Sequence, residues 1–179
     1  MKKRTIIFLV TSFLVIFGII MITSASFIWA EYKFNNPYKF CINQSIFAVV
    51  GFILMIIISN IDYKIFYKYA NHLLIMSIIL LILVLIPGIG VIRNGSRSWF
   101  GIGPFGIQPS EIAKLALIIF TSKYLSNHNN KMNRTKNYVL PILFIICFIF
   151  FLIMLEPDFG SGAITVMSVI ALIFTSNIK

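Results

Sequence analysis

The sequence predicts an all-α integral membrane protein with six transmembrane helices, and three observations predict it. The chain is 59% hydrophobic and 11% charged, with a mean hydropathy of +0.97. A soluble domain carries about 25% charged and about 45–50% apolar residues, so a water-soluble fold of this length has no interior large enough for the excess. The apolar residues fall into six runs of near-membrane length, and the lysines and arginines sit in short clusters between them.

A hydrocarbon core about 30 Å thick is crossed by about 20 apolar residues in a helix. The first run, Ile6 to Ala30, follows the basic start Met1-Lys2-Lys3-Arg4. Ser24-Ala25-Ser26 loosely resembles a signal-peptide cleavage site. The run is longer than a signal core of about 7–15 residues, and further spans follow it, so it is expected to remain uncleaved. The second run is Phe40 to Ser59 and the third Leu73 to Ile92. The fourth, Glu111 to Leu125, is short and contains Lys114; it counts as a span because the loops on either side then alternate correctly. Tyr138 to Leu155 and Phe159 to Ser176 complete the set, giving one polytopic membrane region over residues 1–179.

Basic residues gather on the cytoplasmic side of membrane proteins. With the N-terminus inside, the cytoplasm receives ten of them: Lys2, Lys3, Arg4, Lys64, Lys68, Lys123, Lys131, Arg134, Lys136 and Lys179. The outside receives four, Lys33, Lys39, Arg93 and Arg97, and Lys114 stays within a span. The N-terminus is therefore expected to be cytoplasmic. This distribution also separates the net charge of +10 from a nucleic-acid footprint, because clusters between spans are topology rather than a binding face.

Two connections stand out. Arg93 to Ser110 (residues 93–110) would lie outside. Gly95, Gly101, Gly103, Pro104, Gly106 and Pro109 prevent a continuous helix there, and Trp99, Phe100 and Phe105 hold it at headgroup level. Residues 126–137, polar and rich in asparagine, would form a cytoplasmic connector. His72 and His128 fall in polar loops on that side and carry no assigned role. Cys41 and Cys147 suggest neither a disulfide framework nor a metal site, and no cofactor is implied.

The chain has five acidic residues, and three lie in or against spans, where charge needs a partner or a wet cavity. Glu111 and Lys114 are three residues apart on one helix face and can pair, either as a structural ion pair or in contact with substrate. If that pair is buried, removing one member costs about 3–5 kcal/mol, whereas replacing both is nearly neutral. Glu156-Pro157-Asp158 breaks the chain between the last two spans. Its two carboxylates suit acid–base or cation chemistry, or else are solvated acids at a helix break. Arg93 and Arg97 beside Trp99 offer guanidinium forks for a lipid-linked phosphate, or an ordinary basic and aromatic interface anchor.

The run Asn94-Gly95-Ser96-Arg97-Ser98-Trp99, followed by Gly103-Pro104-Phe105-Gly106-Ile107-Gln108-Pro109-Ser110-Glu111-Ile112-Ala113-Lys114, resembles the signature of the SEDS family (shape, elongation, division and sporulation). Ser24-Ala25-Ser26 and Pro157-Asp158-Phe159-Gly160 are similar to two further blocks of that family, in its order. Trp29 to Phe34 and Leu85-Ile86-Pro87-Gly88 resemble the stage V sporulation protein E and FtsW branch more than the RodA branch.

The resemblance implies the N-terminal part of a fold of roughly ten transmembrane helices in the bacterial plasma membrane. It implies peptidoglycan glycosyltransfer from lipid II, in division, cell shape or spore cortex synthesis, beside a class B penicillin-binding protein. The alternatives are a lipid II flippase and a truncated, non-catalytic membrane partner. Trp99 matches a functionally important tryptophan, Glu111 and Lys114 a buried acid–base pair, and Asp158 the aspartate of a Gln-Pro-Asp-Leu-Gly block. Arg93, Arg97, Trp99 and Asp158 are the expected substrate contacts, and Glu111 with Lys114 the expected structural ion pair. Here Glu156 stands for that block's glutamine and Phe159 for its leucine. The catalytic residue is unassigned: the resemblance places the candidate base beyond Lys179, with Asp158 as the alternative within the chain. This polypeptide alone is therefore expected to bind lipid II at most, without polymerising it.

Overall fold

A computed structural model describes residues 3–93, 95–101, 106–128 and 135–175. They form α1 (Lys3–Phe34), α2 (Lys39–Ser59), α3 (Tyr63–Leu85), β1 (Val91–Arg93), β2 (Ser96–Trp99), α4 (Pro109–His128), α5 (Thr135–Leu155) and α6 (Phe159–Thr175). All six expected helices are present. Of these, α1, α2 and α3 are long and apolar enough to cross a membrane, while the apolar helices Val139–Leu155 and Phe159–Thr175 are shorter. The chain divides into two compact units, Met1–Ile61 and Asp62–Lys179.

The first unit is the α1–α2 hairpin. Asn35 terminates α1 in the left-handed conformation (φ 50), which asparagine tolerates, and its N–H reaches the Glu31 carbonyl at 2.9 Å. Asn36 Oδ1 then accepts the Tyr38 N–H at 3.0 Å, turning the chain into α2. Around this turn Trp29 stacks on Phe40 at 5.5 Å, and Lys33 Nζ sits 4.6 Å from the Trp29 ring centroid. Amphipathic aromatics and lysines of this kind favour the membrane–water boundary. No residue of α2 is buried, as suits a helix surrounded by lipid.

The second unit has the protein core. Ile142, Ile146, Ile149 and Ile153 recur along one face of α5 and pack with Leu74 and Leu81 of α3, Ala113 and Leu117 of α4 and Val169 of α6. Helix α4 contacts α3, α5 and α6, which explains how a helix of such mixed polarity is held. Its small residues Ala113 and Ala116 let neighbours approach closely, and buried residues from Pro109 to Leu125 mark the face that packs against them.

The structure corrects several sequence expectations. Helix α3 spans Tyr63–Leu85, not Leu73 to Ile92. The Asp62 carboxylate accepts the Lys64 N–H at 3.0 Å and starts the helix within a polar stretch that hydropathy conceals. Ile86, extended ahead of Pro87, ends it. His72 and His128 lie in α3 and α4 rather than in loops, with the His128 ring stacked 4.4 Å from that of Tyr124. The connector expected over 126–137 is narrower, because α4 runs to His128 and α5 begins at Thr135. Lys131 and Arg134 lie outside the described residues, as do Lys2, Asn94, Gly103, Pro104, Phe105, Ser176 and Lys179.

The segment 93–110, expected to be irregular, contains half of an antiparallel hairpin. Val91 pairs with Trp99, Ile92 with Arg97 and Arg93 with Ser96, and the register shifts between Val91 and Ile92. Asn-Gly between β-branched or aromatic residues is a strong hairpin signal, and Asn94-Gly95 carries it; Gly95 has φ 83. Beyond β2, Phe100 and Ile107 exchange two backbone hydrogen bonds, at 2.9 and 2.7 Å, and bring the chain back to α4.

Candidate functional site

One end of the second unit gathers the hairpin, the start of α4 and the turn from α5 into α6. Asp158 is the N-cap of α6. Its Oδ1 accepts the Ser161 N–H at 3.1 Å, and its Oδ2 accepts the Ser161 hydroxyl at 2.7 Å. This is the side-chain geometry that satisfies an otherwise orphaned amide at a helix start. Gln108, immediately before Pro109 at the first position of α4, donates its side-chain amide to Asp158 Oδ2 and lies 3.3 Å from Ser161 Oγ. One polar cluster thus ties together the N-terminal ends of α4 and α6, both of which carry partial positive charge from their aligned peptide dipoles.

The hairpin is fastened to the same turn. Ser96 Oγ donates to the backbone carbonyl of Glu156 and lies 2.8 Å from Ser98 Oγ, which is itself buried. On the hairpin, the Arg93 guanidinium carbon is 5.2 Å from the centroid of the Trp99 ring, a cation–π arrangement. Trp99 and Arg97 are half-buried. Two glycines make room for this group. A Cβ on Gly106 would lie 2.8 Å from Arg93 Nη1 and 2.9 Å from Trp99 Cε3. One on Gly90 would lie 2.0 Å from the Val84 carbonyl oxygen and 2.9 Å from Arg97 Cγ.

Because the Gly90 clash is with backbone and the Gly106 clash with movable side chains, Gly90→Ala is expected to destabilise the chain by about 1–3 kcal/mol, and Gly106→Ala by less. Thermal unfolding of the two purified variants in detergent checks the order, and equal midpoints would contradict it.

Glu156 is fully buried, and neither carboxyl oxygen has a hydrogen-bond partner among the described residues. Burial, and after it the neighbouring Asp158 carboxylate, push the Glu156 carboxyl up to about 8 from its ordinary 4.5. At neutral pH it is therefore mostly uncharged, able to donate a proton or a hydrogen bond. The reading of both acids as solvated groups at a helix break does not describe Glu156.

Glu111 and Lys114 occupy the first turns of α4, with Lys114 Nζ 2.7 Å from Glu111 Oε2. The Glu111 side chain is 54% exposed and that of Lys114 19%, so within this chain the pair is not enclosed by protein. Glu111 also sits favourably at a helix N-terminus. The expected cost of Glu111→Gln falls from that of a buried pair to about 1 kcal/mol or less. A loss of several kcal/mol in detergent unfolding, rescued by Lys114→Met, would restore the buried-pair expectation.

Of the residues singled out from sequence, the structure brings Arg93, Arg97 and Trp99 together on one hairpin and fastens that hairpin to the turn that carries Asp158. Gln108, Ser96, Ser161, Gly90 and Gly106 were not chosen from sequence as site residues. Their signals were an amide ahead of Pro109, a serine three residues after an aspartate cap, and glycines flanking the hairpin.

Fold and site together define a polytopic helical membrane protein with an arginine–tryptophan hairpin fastened to the turn between α5 and α6. The chain belongs to the FtsW/RodA/SpoVE family, described as cell cycle protein, which it matches over residues 4–179. It is 42% identical over 171 residues to stage V sporulation protein E of Bacillus subtilis, covering 96% of this chain and 47% of that protein. To the probable peptidoglycan glycosyltransferase FtsW of Saccharophagus degradans it is 34% identical over 161 residues, covering 90% and 42%. Among solved structures, it superposes on a chain of a peptidoglycan synthase complex with a TM-score of 0.69 at 27% identity, covering 92% of this chain and 47% of that one. On the rod shape determining protein RodA of Thermus thermophilus the score is 0.66 at 26% identity, covering 92% and 53%. The chain spans about half the length of the curated relatives it matches.

Proposed function

We propose that this chain is the substrate-binding half of a peptidoglycan glycosyltransferase that takes lipid II, with the hairpin end at the outer face of the bacterial plasma membrane and the N-terminus in the cytoplasm. The observation that carries the proposal is the clamped hairpin. Arg93 and Arg97 supply planar donor forks suited to pyrophosphate oxygens, and Trp99 supplies a flat face at headgroup level. The N-terminal ends of α4 and α6, joined through Gln108 and Asp158 at the turn that holds the hairpin, add positive potential to this end of the unit.

Glycosyl transfer needs a carboxylate within reach of the attacking sugar hydroxyl, and general-base help is commonly worth about 10²–10⁴-fold. In this chain Asp158 is engaged in capping α6 and in holding Gln108. Transfer is therefore assigned to the complete family architecture, working beside a class B penicillin-binding protein, and the role of these residues is to hold the lipid-linked substrate.

The test uses the purified chain in nanodiscs with fluorescent lipid II. Binding is expected to exceed that of phosphatidylglycerol and to fall about tenfold or more in Arg97→Ala and in Trp99→Ala. No preference for lipid II, or binding indifferent to both substitutions, would overturn the reading. Leaflet exchange of labelled lipid II in liposomes would favour a flippase. A gel ladder of glycan polymers abolished by Asp158→Asn would move the catalytic base into this chain. For orientation, a cysteine at Ser96 in a background lacking Cys41 and Cys147 is expected to react with an impermeant thiol reagent on intact cells, and one at Asn130 is not.

A further inference from the structure

The α1–α2 hairpin has a feature that the proposed glycosyltransferase role does not use. Two hollows run along it. One, of about 630 Å³, is lined by Arg4, Phe8, Met55 and Ser59. The other, of about 500 Å³, is lined by Val15, Gly18, Gly51, Phe52 and Met55 among others. Met55 borders both. Gly18 and Gly51 face open space, since a Cβ on either would meet no atom within 4 Å. Thr11 and Gln44 also border the second hollow, and the rest of its lining is apolar or glycine.

At one end the groove has a charged mouth. An Arg4 guanidinium N–H donates to Ser59 Oγ at 2.8 Å, which orients the group and occupies one of its five N–H donors. No acidic residue occurs between Met1 and Ala30 or within α2, and Asp62, three residues past Ser59, has one carboxylate oxygen engaged by the Lys64 N–H as the cap of α3. From Arg4 to Gly18 a helix rises about 21 Å. That is somewhat more than half of the about 30 Å hydrocarbon core, the depth of one leaflet with its headgroup.

We propose that this groove binds one anionic phospholipid, its phosphate on Arg4 and an acyl chain running past Phe8 and Met55 towards Gly18 and Gly51. A guanidinium fork matches two phosphate oxygens, and the narrow, glycine-floored hollow takes a flexible chain.

Native mass spectrometry of the purified chain, released from nanodiscs of equimolar phosphatidylglycerol and phosphatidylethanolamine, tests this. One phosphatidylglycerol per chain is expected, retained about tenfold over phosphatidylethanolamine. Arg4→Gln is expected to erase that preference, and Gly18→Leu with Gly51→Leu to erase retention of both lipids. Lys64→Gln with Lys68→Gln, which removes basic residues outside the hairpin, is expected to change nothing. Undiminished phosphatidylglycerol preference in Arg4→Gln, or an equal loss in the lysine variant, would overturn the proposal. So would full retention in the leucine variant. Should that variant not fold by circular dichroism, Arg4→Gln decides.

Discussion

Raising the pH from about 5 to about 9 is expected to destabilise the detergent-solubilised chain, and Glu156→Gln is expected to remove most of that dependence. The folded protein holds the Glu156 proton up to about pH 8, whereas an unfolded glutamate releases it near 4.5. Between those values the native state binds more protons than the unfolded state, so stability falls as pH rises through the window and levels off above it. A shift of that size corresponds to about 5 kcal/mol, a large share of the stability of a small protein. A glutamine of the same shape stays neutral throughout. The measurement is the unfolding midpoint by scanning fluorimetry across the pH range for both proteins. Parallel curves would show that Glu156 ionises as readily in the fold as outside it. A steeper fall in Glu156→Gln would contradict the sign of the shift.

The second large effect concerns Asp158. Asp158→Ala removes the acceptor for the Ser161 N–H, the Ser161 hydroxyl and the Gln108 amide together. Loss of a helix cap costs about 0.5–2 kcal/mol. An amide donor left partly buried without an acceptor adds about 1–3 kcal/mol. The sum loosens the junction on which the hairpin rests, so the lipid II binding proposed for this chain is expected to fall together with thermal stability. Asp158→Asn keeps an oxygen for the Ser161 N–H, and Gln108 can turn its amide to present its own oxygen, so its loss is expected to be smaller. If both variants unfold at the wild-type temperature, the capping role is wrong. If Asp158→Asn is stable but fails to bind, the carboxylate charge acts on substrate directly.

The two predictions also separate residues that a motif treats as one. Glu156 and Asp158 sit two positions apart, and their side-chain chemistry alone does not say which is buried and which is bonded. Among the described residues one is enclosed without a hydrogen-bond partner and the other is engaged from three directions. The second is placed to organise the junction, and burial lets the first hold its proton at neutral pH.

By itself the sequence determined the class of protein, the existence of six helices and the family. Each depends on features that survive without coordinates: apolar runs matched to membrane thickness, basic clusters between them, and the block from Asn94 to Lys114. Tertiary structure decided the start of α3, because Asp62 begins that helix in a stretch too polar for hydropathy to register. It decided that the Gly-rich segment contains a hairpin, although Asn94-Gly95 was there to be read, because the density of glycine and proline pointed more strongly to a loop. It also decided which carboxylate is buried and which caps a helix, how far Glu111 is exposed, and that Gln108 reaches across to Asp158. Periodicity reports which face of an element is apolar. Burial and hydrogen-bond partners depend on what the other elements place against that face, and here those partners stand 50 residues apart in the chain.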